Sequence, residues 1–122
     1  MKDNTLVLGA STFPYRYSNR AIHMLRDIDE KVLALGKRDD FVRDVEILTD
    51  KSEIKAEDVD TITIYLNARN QEEYREWIKS LKPRRVIFNP GAEHVAFAQE
   101  LQEAGVEVNF ACTLVMLRTG QY

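Results

Sequence analysis

The chain has 122 residues, of which 44% are hydrophobic and 30% charged, and its net charge is −3. That length suits a single domain over residues 1–122, with room for one core between a sheet and its covering helices. No apolar run approaches the roughly 20 residues that cross a bilayer, and the acidic balance argues against a broad electrostatic grip on nucleic acid, though not against a small anionic ligand.

The first strand is predicted at Thr5 to Leu8, an apolar run stopped by Gly9, as in a strand buried on both faces of a parallel sheet. After a loop of small and turn-forming residues, Ser18 is placed to cap a helix over 19–29, in which Ala21, Ile22, Leu25 and Ile28 form one stripe. Val32 to Leu35, ending in Gly36, repeats the first pattern. Val45 to Leu48 reads as a short strand, and 49–59 as a connection or a poorly formed helix. Thr61 to Leu66 is β-branched and leads to Asn70, which with Glu73 makes a capping-box pattern; Tyr74, Trp77, Ile78 and Leu81 follow at helical spacing. Arg85 to Asn89 is another strand, running into Pro90-Gly91 and a helix lined by Phe97, Ala98, Leu101 and Ala104, with Gly105 just beyond its end. Val106 to Phe110 reads as a last core strand, and Thr113 to Leu117 as a short helical turn.

Strands alternating with helices at this spacing predict an α/β fold: a Rossmann-like, doubly wound, mainly parallel sheet of about five strands in a three-layer α/β/α arrangement. Ligands of such sheets sit beyond the carboxyl ends of the strands, near the reversal of strand order. The candidate positions are therefore 9–18, 36–38, 66–70, 89–92 and 111–115.

In the first loop, Gly9 permits a sharp turn and a close ligand, Ala10 keeps the approach open, and Ser11 and Ser18 offer hydroxyls beside a helix N-terminus. Pro14, Arg16 and Tyr17 complete the candidate contacts. These properties suit phosphate, and they equally describe an ordinary capped turn. Ser11 and Pro14 stand where a dinucleotide fingerprint has its second and third glycines, and the Gly-Lys-Ser/Thr ending of a P-loop is missing. Gly36-Lys37-Arg38 puts two cations where a nicotinamide dinucleotide site has an acid. They suit a ribose bearing a phosphate, as in coenzyme A (CoA) or NADP, or else a solvated turn in which Asp39 and Asp40 pair with them.

Asn89, Pro90 and Gly91 form a second possible wall of the cleft, or simply a stiff turn into a helix. Cys112 and Thr113 follow the last strand, where a lone cysteine is more often a small core residue than a nucleophile. One cysteine makes no intramolecular disulfide, and the N-terminus lacks the apolar core of a signal peptide, so the expected compartment is the cytoplasm. Neither His23 nor His94 has partners for a triad or metal set, and Tyr74 and Trp77 read as core.

Gly9-Ala10-Ser11, Pro14, Tyr17-Ser18, Asn89-Pro90-Gly91 and Cys112-Thr113, taken in order, resemble the small stand-alone CoA-binding proteins, whose domain is similar to the CoA-binding part of succinyl-CoA synthetase. The resemblance implies CoA phosphates on the first loop, the adenosine end near Gly36 and Lys37, and the pantetheine between the Asn-Pro-Gly loop and the Cys-Thr turn. The chain departs from the pattern at Asp27-Ile28-Asp29, where a glycine commonly ends the first helix, and at Arg38-Asp39-Asp40. It has no room for the synthetases' phosphohistidine domain. The expectation is non-catalytic binding of CoA or an acyl-CoA, with no metal and an oligomeric state the sequence leaves open. The alternatives are a small NAD(P)-dependent oxidoreductase, on fold analogy alone, and an interaction subunit that has lost its ligand.

Overall fold

The computed structural model describes residues 2–122. Seven strands form one sheet: β1 (Asn4–Ala10), β2 (Lys31–Gly36), β3 (Asp40–Val42), β4 (Val45–Leu48), β5 (Val59–Ile64), β6 (Arg85–Phe88) and β7 (Glu107–Phe110), in the order β3-β4-β2-β1-β5-β6-β7. Every neighbouring pair is parallel except β3 with β4. The helices are α1 (Tyr17–Asp27), α2 (Ala68–Gln71), α3 (Arg75–Leu81), α4 (Val95–Glu103) and α5 (Thr113–Arg118). This is the Rossmann-like α/β arrangement.

The period of two along each strand divides the core into two layers. From β1, Leu6 and Leu8 join Ile62, Ile64, Phe88, Ile78, Phe97 and Leu101 on the face covered by α3 and α4. Val7 points the other way, to Ala34, Ile47, Ile22 and Leu25 under α1. The central strand is thus apolar at consecutive positions because both of its faces are covered. It is also where strand order reverses, since the chain leaves β1 for β2 on one side and later returns to pair β5 on the other.

Several boundaries differ from the sequence expectation. The strand count rises to seven because Asp40–Val42 folds back on Val45–Leu48 as a tight hairpin, with Arg43 at φ 56° in the link; a three-residue strand is too short to show a period. Residues 49–59 form two 3-10 turns, Lys51–Glu53 and Ala56–Asp58. Helix α1 starts at Tyr17, and Ser18 lies buried inside it instead of capping it. The N-cap is Arg16, whose side chain makes no cap hydrogen bond. A turn closed by Arg16 N–H donating to Phe13 O brings the backbone into the helix early. The capping box at Asn70 and Glu73 does not form either: Asn67 caps α2, accepting from the Asn70 N–H at 2.9 Å, because β5 ends at Ile64 and the chain turns sooner. Strand β7 is an edge strand, not a core strand, and its Phe110 is 51% exposed.

Where a glycine was missed at the end of the first helix, Asp29 adopts φ 57°, and Glu30 N–H closes the helix by donating to Leu25 O. The exposed aspartate takes a conformation that costs a residue with a Cβ about 1 kcal/mol relative to glycine. Asp29→Gly is expected to stabilise the protein by up to about 1 kcal/mol in urea denaturation, with no change in slope.

Candidate functional site

A cleft of about 670 Å³ opens above the carboxyl ends of β1, β2, β5 and β6, at the reversal of strand order. Two glycines shape its floor. Gly9, at φ 91°, interrupts the β1–β2 register as a bulge. A Cβ there would meet Leu66 Cδ2 at 3.1 Å and the Tyr65 carbonyl at 3.2 Å, so the adjoining chain after β5 favours the glycine in addition to the expected sharp turn. A Cβ on Gly36 would lie 2.5 Å from Ala10 O. The bulge is therefore seated between two neighbours that leave it no lateral room.

Of the expected contacts, Gly9, Ala10, Ser11, Arg16, Tyr17 and Ser18 line the cleft from the first loop and α1. Gly36, Lys37 and Arg38 line it from the end of β2, and Pro90 and Gly91 from the end of β6. The loop is held from behind by Asn19, buried in α1, which donates from Nδ2 to Ser11 O at 2.9 Å. Above it, Phe13 and Tyr15 stack with centroids 5.6 Å apart, and Tyr15 stands 64% exposed.

Three cations without a carboxylate partner gather at the cleft. Elsewhere Arg26, Lys31, Arg43, Arg75, Lys79 and Arg84 each hold a carboxylate. Arg16, Lys37 and Arg38 hold none, and Asp39 and Asp40 leave those cations free: Asp39 accepts from Thr49 Oγ1, and Asp40 from the Phe41 N–H. The first turn of α1 also contains no acid. One wall of the cleft is thus positive, a combination of helix dipole and unpaired cations that favours an anion.

The other wall is mostly neutral and consists of Tyr65, Leu66, Asn67, Asn70 and Tyr74 with Pro90 and Ala92, Glu73 being its one carboxylate. Residues 66–70 were legible from the rule of strand ends. Tyr74 was not, because helical spacing equally describes a core residue, and it packs partly on the core while facing the cleft. Burial pushes the Tyr65 phenol up to about 12, so it stays protonated.

Pro14, Asn89, Cys112 and Thr113 do not line the cleft. Asn89 is 2% exposed; its Nδ2 donates to Thr63 Oγ1 at 2.7 Å and to Ile64 O at 2.9 Å, while its Oδ1 accepts from the Thr113 N–H at 2.9 Å. Thr113 is buried with its hydroxyl 2.8 Å from that of Thr63. These residues fasten β5, β6 and α5 together beneath the cleft. Half-buried Cys112 is the N-cap residue of α5. His94 likewise caps α4, its Nδ1 accepting from the Phe97 N–H, while its Nε2 meets Glu72; His23 is exposed on α1.

A family profile described as a CoA binding domain matches residues 3–118. The chain belongs to that family. Similar solved structures cover the whole domain: a protein of uncharacterised function is 37% identical with a TM-score of 0.92, covering 100% of this chain and 99% of its own. A Thermus thermophilus protein is 22% identical with a TM-score of 0.86, covering 99% of this chain and 91% of its own. The dinucleotide-forming acetyl-coenzyme A synthetase 1 of Candidatus Korarchaeum cryptofilum, in complex with phosphate and ADP, shares the fold at 14% identity and a TM-score of 0.68. It matches 87% of this CoA-binding domain but only 25% of the synthetase chain. A search of curated proteins matches none.

Asn89→Leu is expected to destabilise the domain by about 2–4 kcal/mol in urea denaturation, because the buried Thr113 N–H loses its acceptor and Thr63 Oγ1 loses one of its two partners. A pH effect follows from the ion pairs beside the cleft. Hydrogen bonds from Arg75 and Lys79 hold the Glu100 carboxyl below its ordinary value, and His94, then Arg75, do the same for Glu72. A depressed folded-state value adds stability that is fully present above the unfolded carboxylate range and is lost as pH falls from there through the lower folded-state value. Tm is expected to drop below about pH 4.3, and the drop between pH 7 and pH 4 should be smaller in Glu100→Gln.

Proposed function

We propose that the chain is a single, non-catalytic module that binds CoA or an acyl-CoA, with the phosphates against the positive wall and the pantetheine along the neutral one. The observation that carries this reading is the set of unpaired cations Arg16, Lys37 and Arg38 at one end of the cleft, beside the open N-terminus of α1. CoA has the complementary division, a polyanionic nucleotide and a neutral arm of amides and methylenes. Membership of the CoA-binding domain family supports the ligand by class.

Lys37 and Arg38 leave the end of β2, where the ribose lies in Rossmann-like sites, and they suit the phosphate that distinguishes CoA from dephospho-CoA. Backbone groups at the start of α1 and the Arg16 guanidinium suit the pyrophosphate.

Calorimetry with CoA, dephospho-CoA and NADP tests the reading: CoA is expected to bind most tightly, and a folded protein that ignores millimolar CoA would falsify it. Replacing Lys37 and Arg38 together with Ala should weaken CoA by about tenfold or more and dephospho-CoA by less than about threefold. Equal losses would remove these residues from the ribose phosphate.

A further inference from the structure

Residue 71 is fully buried, 0% exposed, and yet it is a glutamine. It sits on α2, the short helix between the two loops that form the neutral wall. Its side-chain nitrogen Nε2 donates to Leu66 O at 2.8 Å and to Ala92 O at 2.7 Å. Leu66 belongs to the loop after β5 and Ala92 to the loop after β6, and both line the cleft. One amide thus joins two cleft loops that are 26 residues apart in sequence, counted from Leu66 to Ala92.

The other end of the same amide is unused. Gln71 Oε1 is buried and accepts no hydrogen bond. A buried acceptor without a partner is a cost that an apolar side chain of similar size would avoid. The position therefore departs from what packing alone favours, and the useful part of the side chain is its pair of N–H donors.

The next residue repeats the connection at the surface. Glu72 meets His94 Nε2 at 2.5 Å, and His94 in turn caps α4 through Nδ1. Two consecutive side chains therefore fasten α2 to the segment 92–94. Between these ties, Ala92 N–H donates to Asn89 O at 2.8 Å, so the loop after β6 is held from both sides. Gly91 keeps open space where a Cβ would stand, at the cleft surface of this loop.

We propose that Gln71 is a positioning residue that sets the spacing of the two loops forming the neutral wall, and hence the fit of the neutral arm of CoA, without touching the ligand. This rests on the reading of the cleft given under Proposed function. The positive wall is held separately, by Asn19 on Ser11 O, so the two halves of the ligand respond to different side chains.

The test is Gln71→Met, which keeps length and apolar volume and removes both donors. Titrations use CoA and, separately, the adenosine bisphosphate fragment that lacks the pantetheine arm. CoA affinity is expected to fall about tenfold while the fragment changes less than about twofold. A general loss of structure would weaken both alike. Wild-type protein that binds CoA while Gln71→Met matches it overturns the positioning role alone, as do equal losses for the two ligands. Wild-type protein that binds neither ligand overturns the reading of the cleft and the positioning role with it. Hydrogen exchange on the wild-type chain gives a second measurement that needs no substitution. The amides of Asn70 and Ala92 should gain protection together on binding CoA and not on binding the fragment; protection at only one of them overturns the proposal.

Discussion

The side chain of Asn89 is the contact on which the functional end of the sheet depends. It follows β6 directly and makes three hydrogen bonds inward, two to β5 at Thr63 and Ile64 and one to the first amide of α5. Each of these groups is buried, and each would otherwise be a polar group without water. A parallel sheet frays at its carboxyl ends unless something ties the strands there, because the connections leave in different directions. Asn89 supplies that tie, and it fixes where the chain exits toward Pro90 and Gly91. The cleft wall then follows from the strand ends below it.

The chain's charges are organised around that cleft. An overall acidic protein still presents a positive wall because Arg16, Lys37 and Arg38 line the cleft, while Asp39 and Asp40, which follow them in the chain, do not. Away from the cleft, Arg26, Lys31, Arg43, Arg75, Lys79 and Arg84 each stand beside a carboxylate, which shortens the reach of their field. The two that follow β2 remain available, and the helix N-terminus adds to them. Net charge thus describes solubility, while the pairing pattern describes the site.

Much of the architecture was legible from the order of elements. The apolar stretches of β1 and β6 are continuous because both faces are covered, β5 is β-branched, and both signatures are strong in sequence. Gly9 and Gly36 were legible as special positions, and the sharp turn expected at Gly9 is its bulge at φ 91°, but the packing of the chain after β5 against it was not legible. A glycine marks close approach without saying what approaches, and here it is the Tyr65 carbonyl. Asn89 was read as a possible cleft residue because it lies at the carboxyl end of a strand beside Pro90 and Gly91; its inward rotamer is a tertiary fact. Tyr74 and Gln71 were hidden for the opposite reason, since residues on a helix declare only a face, and the face is shared between core and cleft.

The sequence by itself determined the class of fold, the end of the sheet that forms a site, and the loops that reach it. Those follow from periodicity, from glycine and proline, and from the handedness of parallel connections, all of which act over a few residues. The tertiary structure decided which polar side chains face inward, which cations lack partners, and that β3 folds back to lengthen the sheet. These depend on contacts between residues far apart in the chain, such as Asn89 with Thr113 and Gln71 with Ala92. No local pattern encodes such distances, so only the folded chain could separate the residues that hold the cleft from those that line it.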